Sequence, residues 1–351
     1  MPAQFNQLEP QSLVDAFLTH PPHGFAVQST TDGLCFFYTQ FDLLTTLDAA
    51  VRQRIVDAFA YRYWSKLLQL SSCFVGTTVS EYSILPKNIQ AAQLIEDIQQ
   101  RGHKNTLTIL KDLPLNSPLL SRAENQYSQQ LIKLAKSKGF IAVEGQALAY
   151  VAIDFKDRDE YLSRFSKSRR KNLKRKLKHL QQLRVDIVAT GDARFNDALF
   201  CAQLYQLYLN VYQQSEIHFD LLTADFFQQI LQDQKAAGRV FFYWHGEQLV
   251  GYNICYLYRD NLVDKYIGFD YQLALQFNLY FVSWFVNLDY AQQQGLKFYI
   301  AGWTDPGVKA RLGAKFSFTQ HLVWIQPRLL RFALNRFKYV FEADAHWHAQ
   351  Q

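Results

Sequence analysis

Apolar residues along this chain change their spacing several times, and each change marks a new element. In the first half, FAVQST, LCFFYTQF, CFVGTTVSEYSIL, NTLTILKDL and FIAVEGQALAYVAI are rich in β-branched and aromatic residues and read as strands. Between them, AAVRQRIVDAFAYRYWSKLLQL, IQAAQLIEDIQQRG and SRAENQYSQQLIKLAKSKG carry apolar positions at helical spacing. Helices interleaved with strands predict an α/β (α+β) architecture, a sheet covered by helices.

The stretch DRDEYLSRFSKSRRKNLKRKLKHLQQL contains neither Pro nor Gly and places Leu173, Leu177 and Leu180 at helical spacing. It predicts one helix with a narrow apolar stripe and a cationic outer face, with Asp157, Asp159 and Glu160 near its start, where the helix dipole favours acids. Beyond it come a strand RVDIVAT, a long helix from Arg194 to about Gln213 and a second helix TADFFQQILQDQ. Strands RVFFYWHG and QLVGYNICYLYRD follow, joined at a Gly246-Glu247 turn. A strand LVDKYIGFDY then leads to the apolar helix NLYFVSWFVNLDYAQQQG, capped by Gly295. The strand LKFYIAG, a short helix PGVKARLG opened by Pro306 and the strand KFSFTQHLVWIQP complete the order.

With 351 residues, 49% of them apolar, the chain exceeds one ordinary core and predicts two domains. Its 28 Phe and 20 Tyr exclude general disorder. The start, MPAQFNQLEPQSLVDAF, has neither the basic region nor the apolar run of a signal peptide, and no charge-free run reaches spanning length, so a cytoplasmic address is expected. Cys35, Cys73, Cys201 and Cys255 are far apart and read as small buried residues; neither a disulfide framework nor a metal site is expected. Charge is local. Residues 1–150 carry 12 basic and 12 acidic side chains, residues 151–185 carry 12 and 4, and the remainder 13 and 15. The net +6 therefore sits on one element, which argues against a general DNA-binding surface. The expected division is an N-terminal domain at 1–155, a basic connecting helix at 156–184, a C-terminal domain at 185–327 and an amphipathic tail at 328–351. In that tail Arg328, Arg331, Arg336 and Lys338 alternate with Leu330, Phe332, Leu334, Phe337 and Phe341. It suits packing on its own domain or a peripheral contact with an anionic membrane surface. His346 and His348 have no third ligand in view.

The order strand, helix, helix, three strands, helix, strand, helix, strand resembles the GNAT fold. The run EYLSRFSKSRRKNLKRKLKHL resembles the basic helix entry of the GNAT branch that includes the Fem-type (FemAB-like) peptidoglycan aminoacyl transferases and the BioF2-like acyltransferases. DKYIGFDYQLALQFNLYFVSWFVNLDYAQQQGLKFYIAG is similar to that branch's strand-loop-helix-strand unit, and VKARLGAKF to its lysine motif before the last strand. TILKDLP and LAKSKGFIAVEGQALAYVAI fit the end of its first domain, so the likeness covers most of residues 105–325. It implies two tandem GNAT-like domains, the first degenerate, and an enzyme of the acyltransferase class. Two features depart from the pattern. The helical arm that aminoacyl transferases often use for tRNA is missing, and Asp270-Tyr-Gln-Leu-Ala-Leu-Gln-Phe replaces the Gly-rich pyrophosphate loop of ordinary acetyltransferases.

The resemblance implies that Lys309 stands at the transfer site, where a cation stabilises the oxyanion of a tetrahedral intermediate. Arg311, two residues on, reads as structural or solvated. Acylation of an amine also needs a base. Asp264 leads, since a charge inside a strand calls for a partner or a task; an ion pair with Lys265 or an edge position are its alternatives. Glu216 and His218, in the loop QSEIHFD that borders the acceptor in this fold, stand behind it. Lys167 to Lys178 hold eight cations in twelve residues, enough to bind phosphates. Arg169 and Arg170 are the first choices for a diphosphate or phosphopantetheine, with Lys171, Lys174 and Arg175 beside them. The leading expectation is direct transfer from a thioester, acyl-CoA or acyl carrier protein, to an amine-bearing acceptor, since no G-x-S-x-G nucleophile motif is present. Two others stand beside it: aminoacyl transfer from charged tRNA to a cell-wall precursor, and a non-catalytic binding or scaffold protein in which Lys309 and Asp264 face solvent.

Overall fold

The computed structural model describes residues 4–46, 49–102, 104–215 and 218–327. They divide into two compact units, one within 4–7, 21–148 and 316–327, the other within 8–20 and 149–315.

In the first unit the strands run Ala26–Ser29, Cys35–Asp42, Gln69–Val75, Leu107–Pro114, Lys315–Ile325 and the first part of Ile141–Ala152. Helices Ala91–Gly102 and Arg122–Ser137 cover this sheet and press Leu94, Ile98, Leu131 and Ala135 onto Val75, Leu110 and Leu322. The second helix opens with a capping box, Ser121 and Glu124 satisfying each other's backbone N–H groups. Two sequence expectations change here. CFVGTTVSEYSIL is not one strand: pairing stops at Val75, Gly76 takes φ 119°, and a polar loop follows. AAVRQRIVDAFAYRYWSKLLQL is not one helix: Ala49–Val56 and Tyr61–Trp64 are helical, Ala60 between them is left-handed at φ 59°, and a strand starts at Gln69. The aromatic run Phe59 to Trp64 has weak helix propensity, so nothing local holds the pattern together.

In the second unit the order is Ala149–Ala152, Phe298–Gly302, Asn261–Phe269, Gln248–Tyr258, Gly238–His245 and Arg184–Ala189. Lys315–Ile325, last in the GNAT order, pairs with Leu107–Pro114 in the first unit, and Ala149–Ala152 takes the place beside Phe298–Gly302. Helix Leu279–Gln293 is apolar nearly all round and correspondingly buried, with Val282, Phe285 and Leu288 at 1% exposure or less. Gly295, at φ 65°, ends it as expected. Gly246, at φ 57°, makes the expected hairpin turn between His245 and Gln248. The basic stretch divides into helices Arg158–Ser163 and Lys167–Leu177. Ser166 breaks it because its hydroxyl accepts the Arg169 N–H and restarts the helix as an N-cap. Leu173 and Leu177 point into the core, as their spacing predicts. Helix Gln11–Thr19, distant in sequence, packs on Ala224–Gln232 in this unit.

One feature of this sheet positions the chemistry. Strands Asn261–Phe269 and Phe298–Gly302 pair in parallel through Asn261↔Phe298, Leu262↔Tyr299 and Val263↔Ile300, and pairing ends there. Asp264 and Ala301 are the first residues past the split.

Candidate active site

A bulge sets the direction of Asp264. Against Gln248–Tyr258, Ile254 faces Tyr266 and Cys255 faces Asp264, so Lys265 is the extra residue. The two adjacent charges do not pair. Lys265 reaches Glu9 at 3.6 Å, both side chains being buried, whereas Asp264 enters a polar cluster of its own. Tyr299 Oη donates to Asp264 Oδ2 at 2.9 Å and Asn287 Nδ2 donates to the same oxygen at 3.0 Å. The other oxygen, Oδ1, has only the longer contacts from Asn253 Nδ2 at 3.4 Å and Cys255 Sγ at 3.5 Å. Asn253 is held by Tyr243 Oη at 2.9 Å and donates to Asn287 Oδ1 at 3.1 Å, so the carboxylate rests on a fixed scaffold.

Asp264 is surrounded by protein yet keeps intermediate exposure. Burial raises its carboxyl to about 6, against the hydrogen bonds from Tyr299 and Cys255 and the nearby charge of Lys309, which pull the other way. At neutral pH it is ionised and a stronger base than an ordinary carboxylate.

Lys309 sits on the short helix Pro306–Arg311, launched from Asp305 in the left-handed region at φ 54°. It is 5% exposed. Its Nζ donates to Ala301 O at 2.6 Å, on the strand edge opposite Asp264. A Cβ on Gly302, which sits at φ 76°, would stand 3.9 Å from both the Asp264 backbone carbonyl oxygen and Lys309 Nζ, so the backbone at Asp264 and the Lys309 ammonium flank the same residue. Tyr280, in the first turn of Leu279–Gln293, lies in the field of Asp264 and Asp305, and burial pushes its hydroxyl well up, so it stays protonated.

The remaining sequence candidates fall elsewhere. His218 is exposed against Tyr212, with ring centroids 5.0 Å apart, and makes no contact with Asp264 or Lys309. Glu216 and the tail 328–351, with His346 and His348, lie outside the described residues. On the basic helix, Arg169 stacks on Phe165 at 5.5 Å and Lys174 is held by Asp159 at 2.7 Å. Arg170 is half-buried; Lys171 and Arg175 are exposed. Arg311 is exposed, with its Nε on Gly307 O at 3.2 Å, but its charge also reaches Lys176. Lys176 lies 3.1 Å over the Phe281 ring, and burial, then Arg175 and Arg311, lower its pKa. Three cations thus converge near the first turn of Leu279–Gln293, where backbone N–H groups add positive potential.

Sequence reasoning counted Lys176 among the eight cations but missed Tyr280, Asn253, Asn287 and Tyr299. Two polar residues inside apolar runs, Asn253 in NICYLY and Asn287 in FVNLDY, were the available signal, since a buried amide needs partners. The pyrophosphate loop is replaced by a helix, Tyr271–Gln276, whose first N–H groups are taken by the Asp270 carboxylate at 3.1 and 3.3 Å. All four cysteines are free and buried, as expected. Among the described residues no His, Cys, Asp and Glu cluster could hold a metal, and no helix is long and apolar enough to cross a membrane.

The profile of the FemAB-like family, described as peptidoglycan biosynthesis/recognition, matches residues 89–348. No curated protein matches the sequence. Among solved structures, a C-terminal domain assigned to a lysylphosphatidylglycerol synthetase of Agrobacterium fabrum is similar at TM-score 0.56 and 10% identity, covering 92% of this chain and 94% of that one. L-PGS from Bacillus licheniformis is similar at 0.54 and 9% identity, covering 96% and 98%. FemX follows at 0.51 and 10% identity, covering 93% and 98%. At such identities these likenesses concern the fold.

Proposed function

Because this chain belongs to the FemAB-like family, we propose that it is an aminoacyl transferase, moving an aminoacyl group from its ester on tRNA to an amine of a cell-wall or lipid precursor. The observation that carries this reading is Asp264, a fixed carboxylate raised to about 6, beside the buried ammonium of Lys309 at the strand split. The acceptor nitrogen attacks the ester carbonyl carbon. As the C–N bond forms, the nitrogen becomes acidic and Asp264 Oδ1, the less engaged oxygen, takes its proton. Lys309 has three N–H donors, one of them on Ala301 O, and turns another toward the oxyanion. The carbonyl re-forms, the C–O bond breaks, and the ribose hydroxyl leaves with the proton held by Asp264. Arg169, Arg170, Lys171 and Arg175, with Lys176 and Arg311, hold donor phosphates.

Support for this donor over acyl-CoA or acyl carrier protein is of two kinds. The family description concerns peptidoglycan, and two similar structures are named for lysylphosphatidylglycerol synthesis and L-PGS. The N–H groups that would cradle a coenzyme A pyrophosphate are spent on Asp270. Against a scaffold role, Lys309 is buried and Asp264 is networked, where solvent-facing side chains would be expected. The test offers the purified chain labelled aminoacyl-tRNA or labelled acyl-CoA, with amine-bearing peptidoglycan and lipid precursors. Label should pass from tRNA; passage from acyl-CoA alone would restore the thioester reading.

A further inference from the structure

Among the described residues, three of the six large hydrophobic side chains open to solvent, Ile187, Leu199 and Leu275, are isolated. One segment differs. Val56, Phe59 and Tyr63 are 38%, 98% and 79% exposed within a single short stretch of the first unit. Arg52, Arg54, Arg62 and Lys66 surround them, all exposed. None of these four cations is in an ion pair among the described residues, and the one acid there, Asp57, accepts instead from Gln53 Nε2 at 2.8 Å. Arg62 lies 5.3 Å over the Tyr63 ring, so charge and aromatic surface are presented together. Holding such rings in water forgoes about 1.5–3 kcal/mol of burial for a Phe alone.

We propose that residues 52–66 dock this chain on an anionic lipid bilayer, Phe59 and Tyr63 entering the boundary between headgroups and acyl chains while the four cations meet lipid phosphates. The occupant is a membrane and not an acidic protein because Phe59, in the turn between two short helices, and Tyr63, on the second of them, are exposed among four cations spread along the whole stretch from 52 to 66. That make-up suits the diffuse negative charge and soft boundary of a bilayer. A stable protein partner would need about 800 Å² of complementary surface. The inference does not depend on the transfer chemistry.

The test exploits the four native cysteines, all buried. A Phe59→Cys variant of the full chain, labelled there with an environment-sensitive fluorophore, is mixed with phosphatidylglycerol-rich or pure phosphatidylcholine vesicles; a Leu199→Cys variant is treated likewise. The label at 59 should move to shorter wavelength on the anionic vesicles only, and the label at 199 should not respond. Neutralising Arg52, Arg54 or Arg62 with Gln should weaken vesicle binding about fivefold each. The proposal fails if the label at 59 stays in water while vesicles are bound, if neutral vesicles serve equally well, or if no vesicle binds.

Discussion

In the first unit, parallel strands Gln69–Val75 and Leu107–Pro114 pair from Ser72↔Leu107 to Val75↔Leu110, leaving Gly76 and Lys111 past the end. In the second, Asn261–Phe269 and Phe298–Gly302 pair as far as Val263↔Ile300, leaving Asp264 and Ala301. Both units put adjacent opposite charges there, Lys111-Asp112 and Asp264-Lys265, each beside a register break. What fills the gap differs. In the first unit the chain after Val75 turns back into it: Ser83 N–H donates to Asp112 O at 3.0 Å, Lys111 Nζ to Thr77 O at 3.1 Å, and Thr77, Glu81 and Tyr82 are 1% exposed or less. Lys111 and Asp112 pair with each other, and the Asp112 N–H donates to His321 Nδ1 at 3.0 Å. In the second unit the charges are kept apart, and the carboxylate is held most closely through Oδ2, with longer contacts to Oδ1. The same split is thus filled by a packed loop in one unit and ends at the Asp264 carboxylate and its polar partners in the other.

The largest effect should come from Asp264→Asn, which removes the base but keeps an acceptor for Tyr299: transfer should fall about 10²–10⁴-fold, while Asp112→Asn in the first unit leaves the rate per folded molecule unchanged. Equal losses would erase the contrast. Tyr82→Ala should lower stability by about 3–5 kcal/mol in urea unfolding, since it empties a buried aromatic site. Its hydroxyl, 2.8 Å from Ser117 and 2.7 Å from Ser317, leaves those two hydroxyls without their partner.

Two further effects have opposite signs in pH. Asp264 is raised in the folded chain, so between about 3.9 and about 6 the native state holds a proton that the unfolded state has lost. Stability therefore falls as pH rises through that window and stays lower above it. Asp264→Asn should be more stable than the native chain by up to about 3 kcal/mol above pH 6, the difference closing below about pH 4. His321 is lowered, chiefly by burial, so the unfolded chain takes up its proton first and stability falls on acidification below about 6.5. His321→Gln, which still offers an acceptor to the Asp112 N–H, should flatten that acid slope, the smallest change of the set.

Much of this fold is visible in spacing. The strands and helices of residues 184–325 follow their periodicity; Lys309 comes from the family resemblance of VKARLG, and Asp264 from a charge placed inside the strand LVDKYIGFD. The partners of Asp264 are not visible in the same way. Asn253, Asn287 and Tyr299 come from three elements and meet only because a helix and two strands converge. The first unit's loop hides for a related reason: GTTVSEYS has β-branched residues that imitate a strand, and tertiary hydrogen bonds decide otherwise. His218, offered by its loop, is exposed beside Tyr212.

The most direct test of the account is the pH dependence of aminoacyl transfer from charged tRNA under single-turnover conditions, for the native chain and for Asp264→Asn. The native rate should rise with an apparent pKa near about 6, and the variant should be slow and flat across that range with tRNA binding intact. An unchanged ascending limb in the variant would contradict the assignment of Asp264 as the base.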